Sequence, residues 1–145
     1  MEKTTRKKIA EVVATPKRQP VHGVGRRKRS VARVWLRPGS GKVVVNGVEY
    51  LSYFPNLNAS YEAILPLKVT STEDQFDVQV NLVGGGFTGQ AGAVKMGIAR
   101  ALVAKDEGLK TVLRQHGLLT RDPREVERKK PGRAGARRRF QFVKR

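Results

Sequence analysis

The positive charge of this chain is concentrated at its two ends, and this distribution limits which part of the chain can fold. The formal net charge is +18 over 145 residues. Residues 1–30 and residues 121–145 each carry a net charge of +8, whereas residues 31–120 carry only +2. A strongly basic segment with few apolar side chains cannot offset the conformational entropy lost on ordering. The sequence therefore predicts a compact body between two basic arms.

The length and composition indicate one small domain. We divide the chain into a basic, disordered N-terminal extension (1–21), a globular α+β body (22–120) and a basic C-terminal arm (121–145). The sequence contains no cysteine, which excludes disulfides and thiolate metal sites. No apolar run approaches the ~20 residues of a membrane span, and Glu11 interrupts the only N-terminal apolar stretch. We expect a cytoplasmic protein.

Four segments of the body show the pattern of β-strands. Residues 30–37 alternate, with Val31, Arg33, Trp35 and Arg37 forming a basic and aromatic face opposite small apolar residues. Residues 42–45 and 48–51 are separated by the tight-turn pair Asn-Gly, which predicts a hairpin. Residues 75–83 alternate most clearly.

Helices are predicted between and after these strands. Residues 58–65 favour a short helix that ends before Pro66, because the residue before proline avoids the helical region. Residues 88–104 have apolar positions at helical spacing, and Gly92 and Gly97 in that segment suggest close packing of another backbone. A further short helix is expected at 109–116, and a last turn or two from Asp122 to Lys130.

Two glycine-rich motifs resemble nucleotide-binding loops. Residues 84–89 fit G-x-G-x-x-G, but the acids that follow, Asp106 and Glu107, come directly after the helix rather than at the end of a parallel strand. A plain glycine turn and a helix N-terminus suited to a phosphate, including one of RNA, remain equal alternatives. Residues 39–42 lack the first glycine and the Ser or Thr of a P-loop and are read as a hairpin turn.

No constellation for catalysis is visible. The two histidines, His22 and His116, stand apart, and Glu73, Asp74 and Asp77 fit the solvated edge of a strand better than a carboxylate pair. The sequence therefore predicts a protein that is not an enzyme and has no cofactor or metal.

The C-terminal arm has the composition of a polyanion-binding segment. Its last eighteen residues carry nine Lys or Arg, no Asp or Glu, and two phenylalanines, Phe140 and Phe142, on which a base or sugar could rest. The alternative for such a run is a solvated surface, but a second basic segment at the other end of the chain argues against it.

Several motifs together resemble a known family. In order they are GVGRRKRSVAR (23–33), PGSGK (38–42), VNG (45–47), YFP (53–55), GGGFTGQAGA (84–93), GIARAL (97–102), LLTRDPREVERKK (118–130) and the closing Lys-Arg. Over residues 22–145 the chain closely resembles ribosomal protein nine of the bacterial small subunit. The resemblance implies a four-stranded sheet with helices packed on it, similar to the second domain of ribosomal protein five and containing a left-handed βαβ crossover.

The resemblance also implies a function. The body is expected to bind ribosomal RNA of the head of the small subunit, and the arm to reach the anticodon stem-loop of peptidyl-site tRNA through Lys144 and Arg145. Neighbouring ribosomal proteins are expected partners, whereas a membrane or an obligate homo-oligomer is not. The rRNA-binding residues are predicted to be Arg26, Arg27, Lys28, Arg29, Arg33, Arg128, Lys129, Lys130, Arg133, Arg137, Arg138 and Arg139.

Two other functions compete with this hypothesis. A general nucleic-acid compaction protein would bind duplex DNA as well as RNA, without a defined stoichiometry. A small nucleotide-dependent enzyme would bind nucleotide saturably through Gly86 and Gly89.

Overall fold

The computed structural model describes residues 19–143. These residues form a mixed β-sheet with helices, which confirms the predicted α+β class. Most of the predicted N-terminal extension, together with Lys144 and Arg145, lies outside the described residues.

The elements follow the order expected from the strand and helix patterns, with two additions. One is a strand at Val21–Arg27, and the other is a helix at Tyr50–Tyr53, which begins within the segment predicted as a strand at 48–51. The strands are β1 (Val21–Arg27), β2 (Ser30–Pro38), β3 (Val43–Val45), β4 (Val48–Glu49) and β5 (Phe76–Val83). The helices are α1 (Tyr50–Tyr53), α2 (Leu57–Val69), α3 (Phe87–Lys105) and α4 (Lys110–Gln115), with single 3-10 turns at Glu73–Gln75 and Glu107–Leu109.

The sheet has the strand order β1-β2-β5-β3-β4. All neighbouring pairs are antiparallel except β3 and β5, which run parallel and are connected through α1 and α2. Five strands are present where the resemblance implies four. The shortest strand, β4, is only two residues long and lies at the edge next to β3.

One face of the sheet is covered by helices and forms the core. Ala32, Val34 and Leu36 of β2 are buried there beside alternate residues of β5, as the period of two requires. Helix α3 packs across β1 and β2 and buries most of its length. No helix of residues 19–143 covers the opposite face of the sheet.

Strand β1 was not predicted, because its sequence is rich in glycine. Gly23 and Gly25 both face α3, where an added Cβ at Gly23 would lie 2.7 Å from Ala101 N. An added Cβ at Gly25 would overlap Ala93 O. Strand propensity alone counts glycine against a strand, whereas here its missing side chain allows the helix to pack on the strand.

The predicted end of α2 before Pro66 is wrong. Helix α2 continues to Val69, with Pro66 and Leu67 both buried in the core. A proline near the end of a helix removes only one helical hydrogen bond, that to the carbonyl of Glu62. The carbonyl of Pro66 itself accepts from the backbone N–H and the hydroxyl of Thr70, which ends the helix.

The helix predicted from Asp122 to Lys130 is absent. The side chain of Asp122 accepts a hydrogen bond from Arg124 N at 3.1 Å, as a helix cap would, but no helical turn follows. Val126 is 90 % exposed, so this segment has no apolar face in contact with the body. Short helices without such packing are marginal in water.

Candidate nucleic-acid interface

The sheet face opposite the helices is exposed and basic, and we call it the open face. The cross-strand register places Arg33 between Val24 and Asn81, and Trp35 between His22 and Gln79. Arg33 and Arg37 are exposed, as the alternation of residues 30–37 predicts. The open face comprises His22, Val24, Arg26, Val31, Arg33, Trp35, Arg37, Val44, Glu49, Asp77, Gln79, Asn81 and Val83.

Three of the predicted RNA-binding arginines converge at one end of the open face. Arg26, Arg29 and Arg33 line a concave surface of about 370 Å³ together with Val31, Asn81, Val83 and Gly84. All three are exposed, and none forms an ion pair with another residue of the described range 19–143. Guanidinium groups without counterions in a concave surface are suited to forked contacts with phosphate oxygens.

Arg27 has a different environment, although it belongs to the same basic run. Its Nη1 donates to Glu62 Oε1 at 3.1 Å and to the carbonyl of Thr88 at 3.3 Å, and its Nη2 lies 3.7 Å from Asp122 Oδ2. Lys95 Nζ approaches the same Glu62 oxygen at 2.6 Å. Arg27 therefore connects β1 to α2, α3 and the start of the C-terminal arm.

The other predicted residue of this run, Lys28, lies at the tip of the β1–β2 hairpin. It is exposed and adopts a left-handed conformation, with φ of 50°. It extends the positive charge of Arg26 and Arg29 beyond the edge of the open face.

The C-terminal arm is also basic and has no regular secondary structure. From 121 to 143 it contains turns but no helix or strand, and most of its side chains are exposed. Phe140 and Phe142 are 66 % and 95 % exposed, so their rings are accessible. Of the predicted RNA-binding residues in the arm, Arg133 is half-buried and the others are exposed: Arg128, Lys129, Lys130, Arg137, Arg138 and Arg139.

Internal contacts organise part of the arm. Arg137 Nη2 donates to Glu127 Oε1 at 2.7 Å, and this contact holds the pKa of the Glu127 carboxyl below its usual value. Arg133 Nη1 donates to the carbonyl of Arg137 at 3.0 Å, and Ala134 N donates to the carbonyl of Arg138 at 2.9 Å. These contacts close a loop that presents Arg138 and its neighbours outward.

The acid at the start of the arm is held by cations. Asp122 accepts hydrogen bonds from the side chain and the backbone N–H of Arg124, and these lower the pKa of its carboxyl far below its usual value. The guanidinium of Arg27 adds a smaller effect in the same direction. The arm therefore leaves the body at a fixed point beside β1.

The glycine-rich loop does not form a dinucleotide site. Gly84 and Gly85 have φ of 75° and 69°, and Gly86 precedes α3 without a side-chain cap. Asp106, which should bind a ribose, instead accepts from the N–H of Gly108 at 2.9 Å and caps the following 3-10 turn. No parallel strand follows α3 within residues 19–143. The βαβ unit that the fingerprint requires is missing.

Two other structural features are absent from the described part of the chain. Residues 19–143 contain no group of three or more His, Cys, Asp or Glu side chains placed to hold a metal ion. Among the same residues, no helix has both the length and the apolar character needed to cross a membrane.

Comparison with known proteins is consistent with this interface. The sequence profile of the family described as "Ribosomal protein S9/S16" matches residues 25–145, which include most of the open face and the whole arm. The chain belongs to this family. A protein of Thermotoga neapolitana named "Small ribosomal subunit protein uS9" is 59 % identical over 127 residues, covering 86 % of this chain and 95 % of the relative.

Other relatives bear the same name. The protein of Thermotoga maritima is 57 % identical over 140 residues and covers 94 % of this chain and 100 % of its own length. That of Gemmatimonas aurantiaca is 54 % identical over 127 residues, covering 88 % and 98 %. The predicted resemblance is thereby confirmed: the chain is a structural protein of the ribosome and not an enzyme.

The main feature that sequence reasoning missed is the network around Arg27. Arg27, Glu62, Lys95 and Asp122 are far apart in the chain, and nothing in their local patterns distinguishes Arg27 from the arginines beside it. Gly92 provides a partial signal, because an added Cβ there would lie 2.7 Å from Arg27 Nη1. The close backbone packing predicted at Gly97 is present, with Gly25 N at 3.3 Å from its added Cβ.

Proposed function

We propose that this protein is a structural constituent of the small ribosomal subunit that binds ribosomal RNA of the subunit head through its open face and its C-terminal arm. The observation that carries the proposal is the convergence of Arg26, Arg29 and Arg33 on one concave surface, with no carboxylate partner among residues 19–143. Where a folded protein leaves such positive charges unpaired, binding of an anionic ligand is electrostatically favourable. The names of the relatives support the small ribosomal subunit as the source of this anionic ligand.

The proposed RNA contacts divide between the body and the arm. In the body they are made by Arg26, Lys28, Arg29 and Arg33, while Arg27 holds the hairpin in place rather than binding a phosphate. Because phosphate contacts carry little sequence information, recognition comes from the shape of a folded RNA that fits both surfaces. Neighbouring ribosomal proteins of the subunit head complete the proposed environment.

The finer parts of the proposal concern the tip of the arm and the fold relationship. Lys144 and Arg145 are proposed to contact the anticodon stem-loop of peptidyl-site tRNA, and the basic loop of the arm to direct them there. The parallel pair β3 and β5, connected by α2, is proposed to be the crossover that relates this body to the second domain of ribosomal protein five.

The first test is sedimentation of native extract through a sucrose gradient at moderate salt, with the protein quantified in each fraction. We expect it to travel stoichiometrically with the small subunit and to be released by ribonuclease. Protein that remains at the top of the gradient, or that binds duplex DNA as tightly as RNA, would contradict the ribosomal role in this cell.

The role of the tip is tested separately. Small subunits reconstituted with a chain lacking Lys144 and Arg145 should assemble normally but bind peptidyl-site tRNA more weakly. The matched control is a variant with Lys105 and Lys110 replaced by Gln, which removes the same charge from α3 and α4. Equal tRNA affinity of trimmed, control and unmodified subunits would remove the tRNA contact from the proposal and leave the RNA-binding role.

A further inference from the structure

A cleft of about 580 Å³ lies on the open face next to the concave surface of the three converging arginines, with which it shares Asn81. It is formed between β2, β5 and β3 and is bordered by the turn between β3 and β4. Its lining combines an aromatic ring, an aliphatic side chain and two amides, from Trp35, Val44, Gln79 and Asn81. The basic side chains of Arg37 and Lys42 also line it and are exposed.

Trp35 presents part of its ring to this cleft. The ring packs against His22, with centroids 5.2 Å apart and an interplanar angle of 44°. The residue is only half-buried, so the remaining ring surface is accessible. Trp35 is the only tryptophan of the chain. An aromatic ring on an exposed sheet is a platform on which a nucleobase can stack.

The polar groups of the cleft suit the edge of a base. The amides of Gln79 and Asn81 are exposed and have no hydrogen-bond partner within residues 19–143, whereas Asn46 is occupied by both backbone groups of Leu82. Asp77 accepts from the N–H groups of Ser40 and Lys42 at 2.8 and 3.0 Å. These bonds hold the pKa of its carboxyl below the usual value.

We propose that this cleft binds one unpaired nucleotide of RNA, with its base stacked on Trp35 and its edge hydrogen-bonded by Gln79 and Asn81. The inference rests on the proposed function and names the feature of the RNA that this site recognises. Arg33 is two residues from Trp35 on the same strand face, about 7 Å along the chain, which is a suitable distance for a phosphate next to the stacked base.

Charge favours this occupant over a segment of another protein. The open face carries three arginines, Arg26, Arg33 and Arg37. Its two carboxylates are Asp77, which is already engaged by backbone N–H groups, and Glu49, which lies beside Val44 at the sheet edge. An anionic ligand is therefore favoured, and a base supplies the flat ring and the donors and acceptors that the cleft matches.

The emission of Trp35 provides a direct test with the full chain. A short single-stranded oligoribonucleotide should quench it, whereas an abasic oligomer of the same length and charge should bind through the arms without quenching. In anisotropy titrations with labelled oligoribonucleotide, Trp35→Ala should weaken binding about tenfold, equivalent to ~1.4 kcal/mol. Trp35→Phe should retain most of the affinity.

Two further variants separate stacking from folding and from general aromatic character. Gln79→Ala changes an exposed side chain. It should lower the affinity for the base-containing oligomer several-fold and leave the affinity for the abasic oligomer unchanged. Tyr61→Ala removes an exposed ring on α2 that lies under Lys68 Nζ, 4.5 Å from its centroid, and should have no effect.

The outcomes distinguish this inference from the proposed function. If both oligomers bind equally, Trp35 emission does not change and Trp35→Ala binds like the unmodified protein, the nucleotide site is wrong and RNA binding stands. If neither oligomer binds, the nucleotide site is wrong, and the sedimentation experiment decides the proposed function. In small subunits carrying a photoreactive phenylalanine at position 35, a crosslink to RNA supports the site, and crosslinks exclusively to a ribosomal protein overturn it.

Discussion

At the scale of single residues, Arg27 and Arg29 illustrate how neighbours in one basic run acquire different roles. Arg27 follows Arg26 along β1, and the alternation of the strand directs its side chain to the side of α3. There it donates hydrogen bonds to Glu62 and to the carbonyl of Thr88. Arg29 lies beyond the end of the strand and is exposed beside Gly84. The direction of each side chain, rather than its charge, separates a structural contact from a proposed RNA contact.

This difference predicts that the same substitution affects protein stability differently at the two positions. Arg27→Gln should lower the free energy of unfolding by ~1–3 kcal/mol, because Glu62 and Asp122 lose a partly buried partner. Arg29→Gln should change it by no more than ~0.5 kcal/mol. Urea denaturation measures both values.

RNA binding supplies the complementary measurement. Arg29→Gln should reduce the salt dependence of RNA affinity by ~0.7–0.9 in the log–log slope, as one lost phosphate contact does, and Arg27→Gln should leave that slope unchanged. A reduced slope for folded Arg27→Gln protein would instead show that Arg27 contacts RNA.

At the scale of elements, the packing of β1 on α3 depends on glycine at facing positions. Gly25 of β1 and Gly97 of α3 bring two backbones into contact, and the side chain of Val34 fills the space next to them. Such approach lets β1 join the sheet although its residues have weak strand propensity. The basic residues that follow Gly25 are positioned by this contact.

Gly25→Ala should therefore destabilise the body. The new methyl group would overlap the carbonyl of Ala93, a backbone atom that cannot rotate away, and overpacking of this kind costs ~1–3 kcal/mol. Thermal unfolding followed by circular dichroism measures the loss. The control Gly135→Ala places the same methyl group 3.9 Å from Arg138 Cβ and should be neutral, so equal melting temperatures for the two variants would contradict the packing argument.

Elements also show where local rules gave the wrong boundary. Pro66 is a helix breaker by propensity, but its burial with Leu67 in the core keeps the last turn of α2 in place. Asp122 is a good helix cap by type, but the residues after it have no surface to pack against. In both cases the decisive contribution is tertiary packing, which short-range patterns do not contain.

At the scale of the whole molecule, charge is separated from the core. The helix-covered face of the sheet is apolar, while the open face, the hairpin tip and the arm carry the basic residues. An extended arm adds phosphate contacts without requiring a larger body. In the proposed RNA complex, we expect the body to supply position and the arm to supply much of the electrostatic affinity.

The arm's share can be measured through salt dependence. Replacing Lys129, Arg138 and Arg139 by Gln should make the log–log slope of RNA affinity against salt less steep by ~2, at about 0.7 per phosphate on single-stranded RNA. The matched control replaces Lys105, Lys110 and Arg114, which lie on α3 and α4 outside the proposed interface, and should leave the slope unchanged. Equal slopes for the two triple variants would show that the arm makes no specific contribution to RNA affinity.

The sequence by itself determined the α+β class, the main strands and helices of the body, the basic character of the open face and membership of the family. These properties are written in local periodicity, charge and contiguous motifs. Only the tertiary structure decided that β1 joins the sheet, that α2 passes Pro66, that Arg27 points inward and that Trp35, Gln79 and Asn81 share one cleft. Each of these depends on contacts between residues distant in the chain, whose energies no local pattern records.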